Sequence, residues 1–565
     1  MVALRYLFKK LPSVTLCTAI FPYRTAFLKK AGSIPAYKIP CVEYITISRK
    51  IQIIFCVSRR YLIKKYQCKK QTVPHRQKNL FFIVLQLQNI FRQATLNEIL
   101  ISYKEIFEMG SAKKYQIDMC HGPLFSKIVA FTIPLIAANV IGTLFHAADM
   151  IVVGRFADAK ALAAVGSTGG LTMLVLNIFF GLSSGATVLT SRFIGARDRK
   201  SLSRTVHTAM TIAMYGGTAM AILGIFISKP VLQLMGTPPE ILHQSCIYMW
   251  IYCAGIPFVV IYAFGSGILR STGDTRRPLY YMIFAGIVNV VLNLFFVIVC
   301  KMDVAGVAIA TKVSNLLSAV MVIQALRRAK DSTRFVWKRM RIDWKLFTEM
   351  LKLGVPAGIQ GSCFSISNSI IQSAVNTFGA LAIAGNTAGA NIDGLIYMTG
   401  VCFFHTSLTF TGQNYGAKKY HRIVRAVLLS ILCAAVCDIA IGWTGLIFGR
   451  QLMGIYTTDP EVINWGLSRL RIMMVFYFLC SMMDAITGAL RGLGYSFIPM
   501  VVSITGVCLF RIFWVYAVLP HNRTLTTLIC SYPVSWIMII AVNGTILYRA
   551  LKKLTSKPRH AIIVK

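Results

Sequence analysis

The sequence predicts an all-α polytopic membrane protein, with twelve transmembrane helices in two parallel six-helix repeats around a central cleft. Two observations predict it: long apolar runs recur along the chain, and one constant offset relates its two halves. Of the 565 residues, 56% are hydrophobic and only 14% are charged, and the mean hydropathy is +0.63. A soluble domain of this length would need far more charge to cover its surface.

Apolar runs of about 20 residues are long enough to cross the hydrocarbon core of a bilayer. Basic loops alternate with loops that are poorer in positive charge, so the positive-inside rule places both ends of the spanning region in the cytoplasm. We therefore expect a multi-pass protein of the plasma (inner) membrane. The twelve predicted spans lie near residues 128–153, 163–190, 205–228, 244–269, 279–300, 304–326, 350–376, 381–411, 425–448, 462–490, 498–519 and 524–547. The basic loops are 197–204, 270–277, 327–345, 418–425 and 549–559.

An internal repeat predicts the architecture. The motif "GAR" at 195–197 recurs as "GAK" at 416–418, an offset of 221 residues. Each copy contains six spans, so both copies enter the membrane in the same orientation and enclose a cleft between parallel lobes. The same offset relates Pro239-Glu240 to Pro460-Glu461, Leu269-Arg270 to Leu490-Arg491, Gly273 to Gly494 and Pro278 to Pro499.

The predicted domains follow from the repeat. Residues 109–326 form the first lobe, 327–348 a basic cytoplasmic linker, 349–548 the second lobe and 549–565 a basic cytoplasmic tail.

Residues 1–108 differ from the rest, with 19 Lys and Arg against four Glu and apolar runs too short to span. One interpretation is a mitochondrial targeting sequence. We favour a mis-called start, with natural translation beginning at Met109. The extension is then expected to form no packed domain, and at most isolated amphipathic helices on the membrane surface.

Several function classes are disfavoured. The net charge of +41 is carried by short segments between spans, without aromatic–basic interleaving, so no nucleic-acid partner is expected. The fifteen cysteines form no pair or Cys/His cluster with zinc spacing, which argues against a metal site or a disulfide framework. There is no HExxH motif and no serine–histidine or paired-aspartate arrangement, so no enzyme is expected. A channel is a weaker alternative, because no loop looks like a selectivity filter.

Three stretches carry a family resemblance: "IPLIAANVIGTLFHAADMIVVGRFADAKALAAVG", "LRSTGDTRRP" and "LTFTGQNYGAKKYHR". Together with "DAITGALRGLG" in the second lobe, they resemble the multidrug and toxic compound extrusion (MATE) family over residues 120–548. The resemblance implies a secondary transporter with two six-helix lobes, which exports mostly cationic, amphipathic compounds against inward sodium or proton flow.

We therefore expect a cation-coupled antiporter that works by alternating access on small amphipathic cations. Its expected partners are the lipid bilayer and these substrates, it needs no cofactor beyond the coupling ion (H⁺ or Na⁺), and it is a monomer. The alternative is a lipid-linked precursor flippase of a related two-lobe design. A strongly cationic cleft would favour the flippase, because its cargo carries phosphates.

Asp149 is the first candidate coupling residue. It is the only formal charge between Val129 and Gly154, and acids inside a membrane are functional by default. Pro134 lies fifteen residues earlier and allows a bend in the same helix. The resemblance implies that a cation on Asp149 lets the helix bend at Pro134. The alternative is that Asp149 lies near the outer headgroups, where its cost is small.

Asn289 and Asn293 lie one helical turn apart on the fifth span, and Thr311 on the sixth adds a hydroxyl. The resemblance implies that they complete the first-lobe cation site with Asp149. One branch of the family has an aspartate where this chain has Asn293, so this lobe has one carboxylate. Interhelical hydrogen bonding is an equally good interpretation of the two asparagines.

In the second lobe, Asp484 matches an aspartate of the sodium-coupled branch, but the seventh span has no acid where that branch has a glutamate. Asp393 is the other candidate acid. With single acids and neutral helpers we favour protons over sodium, because a membrane carboxylate is readily shifted to titrate near neutral pH. Lys312 and Arg511 are possible partners for these two acids. Other ionisable residues within or near spans are Asp438, His146 and His405, and lone histidines of this kind usually bond a nearby carbonyl.

Overall fold

The computed structural model describes residues 115–156, 159–234, 238–300 and 302–556, which are almost wholly helical. The helices are α1 (Leu124–Phe156), α2 (Ala159–Ala196), α3 (Arg199–Leu234), α4 (Pro239–Ala254), α5 (Ile256–Ser271), α6 (Arg276–Leu294), α7 (Asp303–Arg327), α8 (Trp344–Asn376), α9 (Ala380–Gly416), α10 (Tyr420–Ile447), α11 (Gly449–Tyr456), α12 (Pro460–Gly492), α13 (Phe497–Ser503), α14 (Phe510–Phe513) and α15 (Leu525–Thr555). Three short π-helical stretches are Phe295–Val299, Ile504–Leu509 and Trp514–Val518, and Trp337–Arg339 is a 3₁₀ turn. The predictions for residues 1–108 and for the end of the tail lie outside the described residues.

These helices form the twelve predicted crossings. The pair α4–α5 makes one crossing, α13 and α14 make another with their π-helical stretches, and ten single helices make the rest. Within the described part of the chain, nine stretches are both long and apolar enough to span a membrane. The other three crossings are α2, α8 and α9, with 38, 33 and 37 residues, which carry more Gly, Ser, Thr and Asn. The twelve-helix prediction is confirmed.

The backbone repeats at the predicted offset of 221 residues. Arg197 and Lys418, at equivalent positions, both adopt the left-handed conformation, with φ of 58° and 56°. Gly273 and Gly494 match in the same way, with φ of 88° and 93°. Each of these residues follows the end of a helix, where a left-handed residue closes the last turn. The two halves therefore share local backbone geometry, which confirms the repeat.

The crossings alternate in direction, and we call the end that carries the loops after α2, α5, α9 and α12 the basic end. Each lobe has its own apolar core. In the first lobe the core includes Met210, Phe264 and Ile268, which are at most 1% exposed. In the second lobe Leu528 and Ile539 are fully buried.

The two lobes pack closely on each other through glycines of α2. A Cβ atom at Gly181 would lie 2.3 Å from the backbone N of Gly358 on α8. Small residues allow this close approach of membrane helices. At the basic end the contact is symmetric, because a Cβ at Gly195 would lie 1.8 Å from the carbonyl O of Gln413, and one at Gly416 would lie 2.0 Å from that of Arg192. Both pairs are related by the 221-residue offset.

Contacts between the lobes are confined to the half of the bundle nearer the basic end. Thr132 on α1 and Thr406 on α9 lie 2.9 Å apart through their hydroxyls, and Asn139 Nδ2 donates to Cys402 Sγ at 3.1 Å. Beyond Asn139, α1 contacts α6 of its own lobe, where Phe145 fills the space beside a glycine. Among the described residues, no hydrogen bond joins the lobes in the other half, so the cleft opens away from the basic end.

Candidate coupling site and cleft

The structure assembles the predicted first-lobe residues into one cluster. Asn293 on α6 donates a short hydrogen bond through Nδ2 to Asp149 Oδ1 on α1. The Thr311 hydroxyl on α7 lies 3.4 Å from Asp149 Oδ2, and Asn289 Nδ2 lies 3.4 Å from that hydroxyl. Asn289 and Asn293 are 4% and 1% exposed, whereas Asp149 is half-buried. Three helices of one lobe therefore meet at a single carboxylate.

The cluster has an unused oxygen. Asn293 Oδ1 is buried and accepts no hydrogen bond from any described atom. A buried acceptor without a donor is costly, and such groups often mark a functional position. The cluster also has no copy in the second lobe, because the offset of 221 places Phe510 and Trp514 at the positions of the two asparagines.

Pro134 lies inside α1, which runs as one helix from Leu124 to Phe156. Its missing N–H leaves one carbonyl of the preceding turn without its helical donor. The second lobe has a proline at the matching place, since Pro356 lies inside α8, the first helix of that repeat. The proline is therefore common to both lobes, whereas the carboxylate fifteen residues later belongs to the first alone.

Asp393 is in an ion pair that the sequence analysis did not foresee. Arg469 Nε on α12 donates to Asp393 Oδ2 at 2.7 Å, and its NH1 group donates to Asn386 Oδ1 at 3.0 Å. Both charged side chains are almost fully buried. The prediction that Lys312 or Arg511 pairs with Asp393 was wrong, because the partner comes from a different helix.

We expect Arg469→Met to destabilise the protein by about 3–5 kcal/mol, because it leaves the Asp393 carboxylate buried without its partner. The double variant Arg469→Met with Asp393→Asn should recover much of that loss. Thermal unfolding in detergent, compared across both variants and the wild type, measures this. A double variant that is as unstable as Arg469→Met would contradict a simple pairing role for Asp393.

Lys312 and Arg511 have other neighbours. The Lys312 ammonium lies 3.4 Å from the centroid of the Tyr252 ring, a cation–π contact within the first lobe. Arg511 donates to Asn368 Oδ1 at 3.1 Å and lies 4.0 Å from the Tyr532 ring centroid. These contacts explain how both cations are kept inside the bundle without an acid.

A second group of acids lies around Ser481 on α12. Ser481 donates a short hydrogen bond to Asp438 Oδ2 on α10, and Asp438 Oδ1 is buried without a partner among the described atoms. Ser481 and Asp484 both flank Gly400 of α9, where a Cβ would lie 2.6 Å from the serine hydroxyl and 3.3 Å from Asp484 Oδ2. Asp484 accepts no hydrogen bond from a described residue. The sequence analysis noted Asp438 only as a charge near a span, and its one signal was its position in an apolar run.

The arginines Arg270 and Arg491 occupy equivalent positions in the two repeats, one turn from the basic ends of α5 and α12. Arg491 donates to Gln360 Oε1 at 2.5 Å, and Arg270 donates to a serine of its own helix at 3.3 Å. The Nε atom of each is buried without a described acceptor, as is Nδ1 of His405. The expectation that His405 bonds a nearby carbonyl through its ring is therefore not met at Nδ1. The side chain of His146 lies outside what the structure describes.

Two copies of one family model match the chain. The MatE model matches residues 134–295 and again residues 356–517, which is one match in each lobe. The chain belongs to the MatE family. The two matches begin at Pro134 and Pro356, the prolines of the first helix in each lobe. The family's repeat is thus the repeat that the offset predicts.

Curated relatives of this MatE chain are similar over most of their length. The "Probable multidrug resistance protein YoeA" of Bacillus subtilis is 27% identical over 67% of this chain and 83% of the relative. The "FAD transporter" of Shewanella oneidensis is 26% identical over 61% and 78%. A solved structure described as the outward-facing conformation of a multidrug resistance MATE family transporter superposes with a TM-score of 0.73, at 21% identity, over 78% of this chain and 98% of that one. The chain has the fold of a MATE transporter and, like its relatives, is a multi-pass membrane transporter.

Proposed function

We propose that this protein is a proton-coupled antiporter, which exports amphipathic organic cations across the plasma (inner) membrane by alternating access. The observation that carries the proposal is the cluster at Asp149, a single half-buried carboxylate held between three helices of one lobe. An acid inside a membrane protein is rarely kept without a function. The multidrug relatives support the export of amphipathic compounds.

Protons fit the cluster better than sodium. Asn293 presents an N–H group to Asp149, so its amide stabilises the charged carboxylate rather than sharing a metal ion with it. Sodium would require both asparagine amides to turn their oxygens towards the site. A proton needs one titratable group, and Asp149 is the only carboxylate in the cluster.

The transport step follows from linkage. A proton on Asp149 removes the charge that Asn293 and Thr311 stabilise, so it loosens the contact of α1 with α6 and α7. Pro134 then gives α1 a place to bend. The proton and the substrate must differ in their affinity for the same two conformations, because a ligand that binds both conformations equally shifts nothing.

Orientation follows from the loops. The basic end is the cytoplasmic end by the positive-inside rule, and both ends of the spanning region then lie in the cytoplasm. The cleft, which opens away from the basic end, faces outward in this conformation. The transporter works as a monomer, because each chain supplies both lobes of the cleft.

Lipid-linked precursor export is the second candidate, and one observation favours it. Arg270 and Arg491 bring two cations and unpaired Nε atoms to the junction of the lobes, where an anionic group would find donors. The acids Asp438 and Asp484 oppose that charge from nearby in the second lobe. Efflux of ethidium from vesicles, beside an anionic amphiphile of similar size, separates the two. Gradient-driven efflux of the anion alone would overturn cation export.

We expect a pH gradient without sodium to drive dye efflux in proteoliposomes, and a sodium gradient at equal pH to be ineffective. Asn289→Ala should then reduce efflux less than threefold, because the neutral side chain does not carry the proton. Transport on the sodium gradient alone would contradict proton coupling. In that case Asn289→Ala should cost more than Asp393→Asn, since neutral oxygens bind sodium.

A further inference from the structure

A basic pocket lies outside the cleft, where α7 ends and the linker to the second lobe begins. Its volume is about 520 Å³, within the range of about 300–1,000 Å³ found for ordinary ligand sites. Four cationic side chains line it, together with an amide and an indole. They are Arg327, Arg328, Arg334, Lys338, Gln324 and Trp337.

The linker wall of this pocket is fixed to the first lobe. Phe335 is only 1% exposed, and its N–H donates to the carbonyl of Leu326 at 3.0 Å. The N–H of Val336 donates to Nε2 of His207 on α3 at 3.1 Å, and Nδ1 of that ring lies 2.7 Å from the carbonyl of Ser203. The pocket is therefore formed in advance and needs little ordering to receive a ligand.

The acids of the linker do not neutralise the pocket. Asp331 is hydrogen-bonded to Thr333 and accepts from Gln116 Nε2 at 3.0 Å. Asp343 accepts from Arg204 at 2.9 Å. Both carboxylates thus have partners away from the lining, and the four cations give the pocket a strong positive charge. Arginine and lysine side chains in such a concave site suit the oxygens of a phosphate group.

The pocket lies at the membrane boundary. Arg327 is the last residue of the membrane-spanning stretch Ala305–Arg327, so the lining begins where the hydrocarbon ends. Trp337 is 44% exposed and Trp344 nearby in sequence is 70% exposed, as is usual for tryptophans at headgroup level. Basic pockets at this depth are suited to anionic lipid headgroups.

We propose that this pocket binds the phosphate-bearing headgroup of an anionic phospholipid from the leaflet at the basic end. The shared chemistry is a phosphate ester, and free phosphate offers the same oxygens. The membrane boundary favours the lipid, because acyl chains can lie along the apolar surface of α7 while the phosphate enters between the cations. This site is separate from the cleft, so the proposal stands whatever the transporter exports.

The test measures binding of phosphatidylglycerol to the full chain in detergent, by native mass spectrometry and by thermal stability. Phosphatidylcholine and inorganic phosphate are run alongside as separate probes. We expect saturable retention of phosphatidylglycerol, and weakening of at least about tenfold in the double variant Arg334→Gln and Lys338→Gln. Both side chains are exposed, and unfolding in phosphatidylcholine, matched to the wild type, shows that the variant is folded.

The matched control is Lys552→Gln with Lys553→Gln, which removes the same charge from exposed positions at the basic end of α15. It should bind phosphatidylglycerol as the wild type does. Equal weakening in both double variants would overturn the site, since general surface charge would explain the binding. Retention of phosphatidylcholine to the same degree would also overturn it. Stabilisation by inorganic phosphate that equals the lipid's would show a phosphate site and contradict the lipid. Should the double variant not fold, Lys338→Gln alone is compared with Lys552→Gln on the same readouts.

Discussion

Asp149→Asn is expected to reduce gradient-driven efflux to the level of empty vesicles, while insertion and thermal stability stay close to those of the wild type. Asparagine keeps the shape of the side chain and an oxygen that can accept from Asn293. It removes the charge that a proton would neutralise, so the variant isolates coupling from packing. Dye efflux in proteoliposomes, normalised to reconstituted protein, measures the effect.

The control for this variant is Asp459→Asn, which neutralises an exposed acid at the start of α12. Asp459 caps that helix by accepting from the N–H of Glu461 at 2.9 Å, and asparagine caps a helix equally well. Its efflux should match the wild type. Unchanged efflux in Asp149→Asn would falsify the coupling role and return Asp149 to an interfacial position of little consequence.

Gly416→Ala should lower efflux more than tenfold by opening the basic end. The added methyl group would lie 2.0 Å from the carbonyl O of Arg192, an overlap with backbone that only separation of α9 from α2 relieves. Overpacking of this kind costs about 1–3 kcal/mol, which shifts the balance between two conformations by about 5- to 150-fold. The expected readouts are slower efflux and faster maleimide labelling of the buried Cys402 at the lobe junction.

Gly394→Ala is the matched control for this overlap. It lies on the same helix α9, and a Cβ there meets no atom within 4 Å. The substitution should leave both efflux and labelling unchanged. Equal loss in the two alanine variants would show that α9 tolerates no alanine at all, and would contradict a specific role for the close approach at Gly416.

The first-lobe cluster was predictable because its signals are local. Asn289 and Asn293 share a helix face by spacing alone, and Asp149 is conspicuous in an apolar run. The family resemblance then supplied the reason to join them. The repeat was predictable for a similar reason, since the turns at Gly273 and Gly494 require the left-handed backbone that glycine adopts without strain.

The partner of Asp393 was not predictable. Arg469 lies 76 residues away on another helix, and which helix faces α9 is decided by three-dimensional packing rather than by periodicity. The reason for "GAR" and "GAK" was missed in the same way. The sequence marks Gly195 and Gly416 as a repeat, whereas only the structure shows that each one admits the other lobe's backbone.

The proposed coupling is tested most directly by proton movement that depends on the substrate. Proteoliposomes that contain the full chain and an internal pH indicator are given an outward-directed gradient of ethidium, without sodium and without an imposed pH difference. If the two ligands are linked at Asp149, ethidium must move protons in the opposite direction, and the Asp149→Asn variant must not. Ethidium flux in the wild type without any change of internal pH would contradict proton-coupled antiport.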